Sequence, residues 1–218
     1  MAKADQKSSF PKKHIGLFGG SFDPVHTGHT RTIKSVAEQL SLDQVCFIPA
    51  ARSPFKDKST VKDTDRITML TLALEPYPNF KIDQREINQS GTSYTIDTLN
   101  SIHAEQPDAQ LYLIIGMDAW QGFERWKQWQ DITALCHIVV MTRPEYFASP
   151  LSDFWQEKLS TQVKCLREND NRLFFVQVSE LEISSSQIRG SLQKGKLAEG
   201  LDGKVAAYIK QHALYHPL

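Results

Sequence analysis

Two histidines three residues apart, His26 and His29, stand where an apolar run of the sequence gives way to the pattern of an amphipathic helix. Side chains at positions i and i+3 of a helix lie on one face, so the two imidazoles should lie together in the first turn. The preceding Gly19 and Gly20 allow a tight turn and a close approach of main chain to a ligand, and Ser21 adds a hydroxyl group. Because a helix N-terminus also presents free N–H groups and a positive dipole end, these residues predict an anion site suited to a polyphosphate.

Other interpretations of the glycines and histidines fit less well. A dinucleotide-binding GxGxxG motif needs glycines at relative positions 1, 3 and 6, whereas here they fall at Gly16, Gly19 and Gly20. The run GSLQKGKL at 190–197 matches a GxxxxGK phosphate loop but has leucine where serine or threonine must hold magnesium. A zinc site needs a third protein ligand, and no cysteine or acidic residue lies at metal-ligand spacing from the histidines. Two histidines that only cap the helix stay an alternative.

The elements that must position these residues follow from the hydrophobic pattern. The run HIGLF predicts a first buried strand, Ile33 and Val36 mark the apolar face of a helix, and QVCFIP predicts a second strand. The later runs AQLYLIIG, HIVVMTRP and RLFFVQV are almost continuously apolar, which is typical of parallel strands covered on both faces. The sequence therefore predicts a Rossmann-like, doubly wound α/β fold, with a mainly parallel sheet, helices on both faces and a C-terminal helical part. In such a fold, ligands bind outside the carboxyl ends of the strands.

The amino-acid composition limits the kinds of partner and the cellular location that we expect for the protein. The chain has 218 residues, of which 40% are hydrophobic, and its formal net charge is zero. We expect a tail over residues 1–13 and a single domain over residues 14–218. Balanced charge argues against a nucleic-acid partner, and no apolar run reaches the roughly 18 residues that a membrane-spanning helix needs. The three cysteines, Cys46, Cys136 and Cys165, are far apart without a CxxC motif, which favours a reducing, cytoplasmic location.

Two longer motifs resemble those of one enzyme superfamily. The stretch GGSFDPVHTGH resembles the first signature of the HxGH nucleotidyltransferases, and ISSSQIR resembles their second signature, ISSTxIR. Between them, SYTIDTL, IIGMDAW, RWKQW and RP are similar to segments of the nicotinate-mononucleotide adenylyltransferase family, so the resemblance covers most of the chain. The family commonly has Pro-Pro-His-Lys after the second strand, whereas this sequence has SPFK, with Phe55 at the histidine position.

The resemblance implies transfer of the adenylyl group of ATP to nicotinate mononucleotide, which gives deamido-NAD and pyrophosphate in NAD biosynthesis. The attacking phosphate oxygen is already an anion at neutral pH, so catalysis needs positioning and charge stabilisation rather than a general base. The sequence agrees, since no nucleophile–base pair is recognisable in it. The resemblance also implies Mg²⁺ that is carried by ATP, with no metal ligand from the protein.

By the same resemblance, three groups of residues would form the site. The residues implied in catalysis are His26, His29 and Arg189. The residues implied in ATP binding are Gly19, Gly20, Ser21, Phe22, His26, His29, Lys56, Ser184, Ser185 and Arg189. The residues implied in binding the acceptor nucleotide are Thr92, Ser93, Tyr94, Thr95, Asp118, Trp126 and Arg143. In this arrangement two helix N-termini, one from each signature, converge on one triphosphate.

Two other functions stay open at this point. A member of the same superfamily could use another acceptor, such as nicotinamide mononucleotide or phosphopantetheine, or a phosphorylated alcohol with CTP. A nucleotide-binding sensor could keep the fold without turnover, although it would not need the histidine pair, Ser184 and Arg189 as contacts to a leaving group. The partners implied are small molecules, with neither nucleic acid nor membrane, and a homo-oligomer is compatible with the sequence.

Overall fold

The structure, a computed structural model, describes residues 12–50, 61–89, 91–142, 150–161, 171–179, 183–196 and 198–215. Several predictions fall outside these ranges. They concern residues 1–11 of the expected tail, the loop residues Phe55 and Lys56, Arg143, and Cys165. Within the described ranges, no helix is long and apolar enough to cross a membrane.

In the described part of the chain, six strands form one parallel sheet. The strands are His14–Gly20 (β1), Gln44–Pro49 (β2), Phe80–Ile82 (β3), Gln110–Gly116 (β4), His137–Thr142 (β5) and Leu173–Gln177 (β6). Their order is β3-β2-β1-β4-β5-β6, and every neighbouring pair is parallel. The chain winds outward from β1 to one edge and then from β4 to the other edge, so the order reverses between β1 and β4. The predicted fold class, a doubly wound parallel α/β sheet, is confirmed.

The helices of the described residues include five whose apolar spacing the sequence predicts. In chain order they are Thr27–Gln39 (α1), Asp63–Leu74 (α2), Arg85–Asn88 (α3), Thr95–Glu105 (α4), Met117–Trp120 (α5), Trp129–Leu135 (α6), Asp153–Lys158 (α7), Ser185–Gln193 (α8) and Gly203–Gln211 (α9). The predicted helices are α1, α2, α4, α8 and α9. The sequence predicts them from apolar residues at helical spacing, such as Leu70 and Leu74 in α2, Leu99 and Ile102 in α4, and Val205 and Ile209 in α9, and from the capped run ISSSQIRGSLQKG for α8. The sequence also indicates Asp63 or Thr64 as the cap of α2, which is wrong, because Lys62 is the N-cap residue and Asp63 begins the helix. The carboxylate of Asp63 instead lies 2.6 Å from Nη2 of Arg66.

Alternate residues of the strands face two hydrophobic clusters, one on each side of the sheet. On one side, Phe18 of β1 belongs to a cluster with residues of α1, α2 and α9 such as Ile33 and Met69. On the other side, Leu17 belongs to a cluster with residues of α4 and α6 such as Leu99. Helices therefore cover both faces, as the apolar strands predict. The turns that follow the strands lie at the carboxyl ends of the strands, outside the two faces that the helices cover.

Candidate active site

The turn of residues 21–25 leads from β1 to α1 at the carboxyl edge of the sheet. Gly19, Gly20 and Ser21 all retain exposure to solvent there. The side chain of Phe22 does not, since it is 1% exposed and meets His29 edge-on with 5.2 Å between ring centroids. The ring of Phe22 therefore supports the second histidine, and its main chain is the part that can approach a nucleotide.

His26 and His29 lie against each other at the start of α1. Their ring centroids are 3.7 Å apart with an interplanar angle of 30°, as the i, i+3 spacing predicts. The main-chain N–H of His26, the N-cap residue, donates to Nδ1 of His29 at 3.3 Å. His26 is 7% exposed, and this burial lowers its pKa to about 4. Its ring is therefore neutral at pH 7, so it can donate a hydrogen bond to an anion without carrying a full charge.

Gly28, between the two histidines, leaves the space that the ring of His26 occupies. A Cβ atom at this position would lie 2.8 Å from Nδ1 and 2.9 Å from Cε1 of that ring. Such contacts are far inside ordinary van der Waals separation, so any larger residue would displace the imidazole. Nδ1 of His26 is buried without a hydrogen-bond partner among the described residues. The packing therefore leaves Nε2 as the ring nitrogen suited to a ligand.

The second signature is bonded directly to the turn that precedes the histidines. Ser185 Oγ donates to the main-chain oxygen of Pro24 at 2.9 Å, and Arg189 Nη1 donates to that of Asp23 at 2.6 Å. Nη2 of Arg189 also donates to Ser186 Oγ at 3.2 Å. The fold thus brings together two segments that are more than 160 residues apart in sequence, and α1 and α8 begin beside the same turn.

Both helix starts already use part of their hydrogen-bonding capacity. The N–H of Thr27 donates to the main-chain oxygen of Gly200 at 2.8 Å. In α8, Ser184 and Gln187 form a reciprocal capping box, in which Ser184 Oγ accepts from the Gln187 N–H at 3.2 Å. The free N–H groups expected at the start of α1 are therefore fewer than the sequence suggests.

Sequence reasoning missed two residues that also bond to this turn. Arg66 of α2 is fully buried, and its Nη1 donates to the main-chain oxygen of Ser21 at 2.7 Å. Tyr215 donates from its hydroxyl to Oδ1 of Asp23 at 2.6 Å. A lone arginine on the apolar face of α2 was a detectable signal, because a charge is rarely buried without partners. Nothing in the local sequence distinguishes Tyr215.

The residues predicted for the acceptor begin at the start of α4. Thr92 is exposed, Ser93 is buried, Tyr94 is the N-cap residue and Thr95 opens the helix. Ser93 Oγ donates to the main-chain oxygen of Glu86 at 3.4 Å, so its hydroxyl is engaged within the protein. Glu86, a residue that the sequence did not single out, also accepts from Thr98 Oγ1 at 2.8 Å, and burial raises its pKa. Glu86 therefore holds the turn before α4 by accepting hydrogen bonds from Ser93 and Thr98.

Asp118 and Trp126, the other described acceptor candidates, follow β4. Asp118 is exposed in the first turn of α5, next to the carboxyl end of the strand. Trp126 is half-buried and packs on Phe123 with ring centroids 5.1 Å apart. Lys127 connects this segment to α4, since its Nζ lies 4.6 Å from the ring centroid of Tyr94. Among the described residues, no group of three or more His, Cys, Asp or Glu side chains is placed to hold a metal ion.

Comparison with known proteins agrees with this geometry. The sequence model of the family described as cytidylyltransferase-like matches residues 17–191, which is more than half of the chain and includes both signatures. A "Probable nicotinate-nucleotide adenylyltransferase" of Pseudomonas paraeruginosa is 38% identical over 208 residues, covering 93% of this chain and 97% of the relative. The chain belongs to the nicotinate-nucleotide adenylyltransferases of the cytidylyltransferase-like family.

Comparisons with further adenylyltransferases agree with this family assignment. The Pseudomonas putida (strain GB-1) relative of the same name is 36% identical over 208 residues, covering 93% of this chain and 95% of its own length. The Plasmodium falciparum nicotinic acid mononucleotide adenylyltransferase complexed with NaAD superposes with a TM-score of 0.70. That comparison covers 93% of this chain and 97% of the other at 17% identity, so it supports the fold alone.

Proposed function

We propose that this chain transfers the adenylyl group of ATP to nicotinate mononucleotide, giving deamido-NAD and pyrophosphate in NAD biosynthesis. The observation that carries the proposal is the direct bonding of Ser185 and Arg189 to Pro24 and Asp23, within three residues of His26. Through this contact, α1 and α8 begin beside the same turn, so a triphosphate bound there could meet both helix starts. The curated relatives that are 38% identical over nearly their whole length support the choice of acceptor.

In this proposal, ATP lies across the starts of α1 and α8 as its magnesium complex. The main chain at Gly19, Gly20, Ser21 and Phe22 contacts the nucleotide, and Lys56, outside the described residues, contacts its phosphates. His26, through Nε2, and His29 donate to the phosphates, while Ser184, Ser185 and Arg189 contact the β and γ groups. Because Arg189 has five N–H donors, it can keep its bond to Asp23 and still meet a phosphate oxygen.

The chemistry then needs no proton transfer. A phosphate oxygen of the mononucleotide attacks the α-phosphorus of ATP, and the bond from that phosphorus to the bridging oxygen breaks as pyrophosphate leaves. Negative charge grows on the leaving group, which the rings of His26 and His29 and the Arg189 guanidinium stabilise in positions fixed beforehand.

The acceptor would occupy the space between the start of α4 and the segment after β4. There the proposal assigns Thr92, Tyr94, Thr95 and Asp118 to polar contacts and the half-buried indole of Trp126 to stacking on the pyridine ring. The hydroxyl of Ser93 donates to Glu86 and is assigned only as an acceptor. Arg143, outside the described residues, would pair with the acceptor phosphate. The partners of the protein are accordingly small nucleotides, and we place the reaction in the cytoplasm, where ATP and mononucleotides are made.

Pyrophosphate release tests the proposal. The purified protein is supplied with Mg²⁺ and ATP or CTP, together with nicotinate mononucleotide, nicotinamide mononucleotide or phosphopantetheine. We expect the highest kcat/KM with ATP and nicotinate mononucleotide. Release only with phosphopantetheine or only with CTP would assign another acceptor or donor, and ATP binding without release from any pair would make the protein a sensor.

A further inference from the structure

The end of the described chain returns to the turn that precedes the histidines. Tyr215, which is 9% exposed, donates its hydroxyl hydrogen to Oδ1 of Asp23, which is 4% exposed. Their oxygen atoms are 2.6 Å apart, the separation expected for a hydroxyl donating to a carboxylate. A buried carboxylate depends strongly on such donors, because it has lost its water. Tyr215 therefore contributes more than packing to this position.

Asp23 is held from two directions by segments that follow β6. Its main-chain oxygen accepts from Arg189, and its carboxylate accepts from Tyr215. The first contact fixes the peptide group, and the second fixes the side chain, so the two together restrict rotation of this residue. Phe22, which supports His29, is adjacent to Asp23, and His26 follows three residues later. A reorientation at Asp23 would therefore act on the main chain that carries Phe22 and His26, and through the ring of Phe22 on His29.

We propose that Tyr215 is a positioning residue for adenylyl transfer, which orients the histidine pair through Asp23 without contacting a substrate; the inference rests on the proposed function. Burial, and then the bond to Asp23, raise the pKa of Tyr215, so its phenol stays a neutral donor near pH 7. The role is distinct from those of Ser185 and Arg189, which bond to main-chain oxygens of the same turn.

A matched pair of tyrosine variants tests the proposal. Tyr215→Phe removes only the hydroxyl group, and Tyr208→Phe removes a hydroxyl that donates to Oδ1 of Asp65 at 2.9 Å, between α9 and α2. With ATP and nicotinate mononucleotide, Tyr215→Phe should lower kcat about 10-fold while KM for ATP changes less than about threefold, because the reacting groups are misplaced rather than removed. Tyr208→Phe should keep kcat within about twofold of the wild type. Equal kcat values in all three proteins overturn the proposal.

A spectroscopic measurement separates this inference from the proposed function. The imidazole ¹⁵N resonances of His26 and His29 should move in Tyr215→Phe and stay in place in Tyr208→Phe, whether or not the wild type turns over. If the wild type releases no pyrophosphate but the resonances move, the proposed function fails and the positioning contact stands. Unmoved resonances in folded Tyr215→Phe overturn the positioning role even in an active enzyme.

A double-mutant cycle excludes a role in packing alone. Once Asp23→Ala has removed the accepting carboxylate, adding Tyr215→Phe should change kcat by less than about twofold, because both substitutions break one contact. Full additivity of the two effects would show that Tyr215 acts elsewhere and would overturn the proposal. If Asp23→Ala does not fold, the ¹⁵N comparison of the two tyrosine variants decides the question.

Discussion

Arg189 donates a hydrogen bond to the main-chain oxygen of Asp23 at 2.6 Å, across 166 residues of sequence. The same guanidinium is our candidate for contacting the leaving pyrophosphate. If the proposed contact with the phosphates forms, one side chain serves both binding and architecture, and a substitution there should disturb both the turn and the binding of the phosphates. Substitutions at other positions separate the effect on the turn from the effect on phosphate binding.

Arg189→Lys should lower kcat/KM for ATP by about 100-fold. Lysine keeps the positive charge, but its single ammonium group cannot reach Asp23, Ser186 and a phosphate together as a guanidinium can. Steady-state kinetics at saturating nicotinate mononucleotide measure the effect. Arg31→Lys, at an exposed position of α1, is the control and should stay within about twofold of the wild type. Full activity in Arg189→Lys would mean that charge alone is sufficient.

His26→Ala or His29→Ala should lower kcat by roughly 10²- to 10³-fold, because each removes a donor placed in advance for charge that develops on the leaving group. ATP binding should weaken less, since many other groups contact the nucleotide. Turnover and the Kd for ATP, measured by calorimetry, give the two effects separately. Unchanged turnover in both variants would assign the pair a structural role.

Stability should fall in acid partly because of His26. Its pKa is about 4 in the folded protein and near 6.5 when unfolded, so between these values the unfolded chain binds a proton that the folded chain does not. Stability from this residue is therefore lost as the pH falls from about 6.5 to about 4, by at most about 3 kcal/mol. Urea unfolding of the wild type and of His26→Asn across this pH range measures the loss of stability. The same pH slope in both proteins would contradict the expectation.

Gly28→Ala should reduce turnover about 10- to 100-fold, because the new methyl group would displace the buried ring of His26. The higher helix propensity of alanine offsets part of the cost of this displacement, so stability should fall by less than about 2 kcal/mol. Gly203→Ala, in the first turn of α9, meets no atom within 4 Å and serves as the control. Comparison of kcat and Tm for both variants tests the prediction, and equal activity in the two would show that the ring of His26 tolerates displacement.

Arg66→Met should destabilise the protein by about 2–3 kcal/mol, because the main-chain oxygen of Ser21 and the carboxylate of Asp63 would lose a charged donor. Arg31→Met, at the exposed surface of α1, should change stability by less than about 0.5 kcal/mol. Urea denaturation of both variants provides the comparison. An equal, small effect in the two would mean that water replaces the buried guanidinium without cost.

The features that the sequence predicts well are local ones. The contact between His26 and His29 follows from helix geometry alone, and the parallel sheet follows from runs of apolar residues. The short helices α3, α5, α6 and α7 span four to seven residues, too few for an apolar period to repeat. The positions of α5, α6 and α7 depend on packing around Phe123 and its neighbours, which no local pattern contains.

The sequence does not predict the contacts between segments that are distant along the chain. The resemblance placed both signatures around one ligand, but it did not indicate that Ser185 and Arg189 bond to the first turn. The bond of Arg66 to the main-chain oxygen of Ser21 and the bond of Tyr215 to the carboxylate of Asp23 likewise join residues far apart in sequence. Such contacts depend on how the whole chain folds, so the spacing of residues within a motif does not predict them.

The dependence of the first turn on α8, Gly200 and Tyr215 has a consequence for synthesis on the ribosome. The strands of the described sheet all precede α8, Gly200 and Tyr215, so the sheet can assemble while those later segments are still inside the exit tunnel. At that stage the main-chain oxygens of Asp23 and Pro24 have not yet met Arg189 and Ser185. The nascent chain can thus be folded in its centre before its histidines are in position, and the proposed site is complete only after the segments up to Tyr215 have been made.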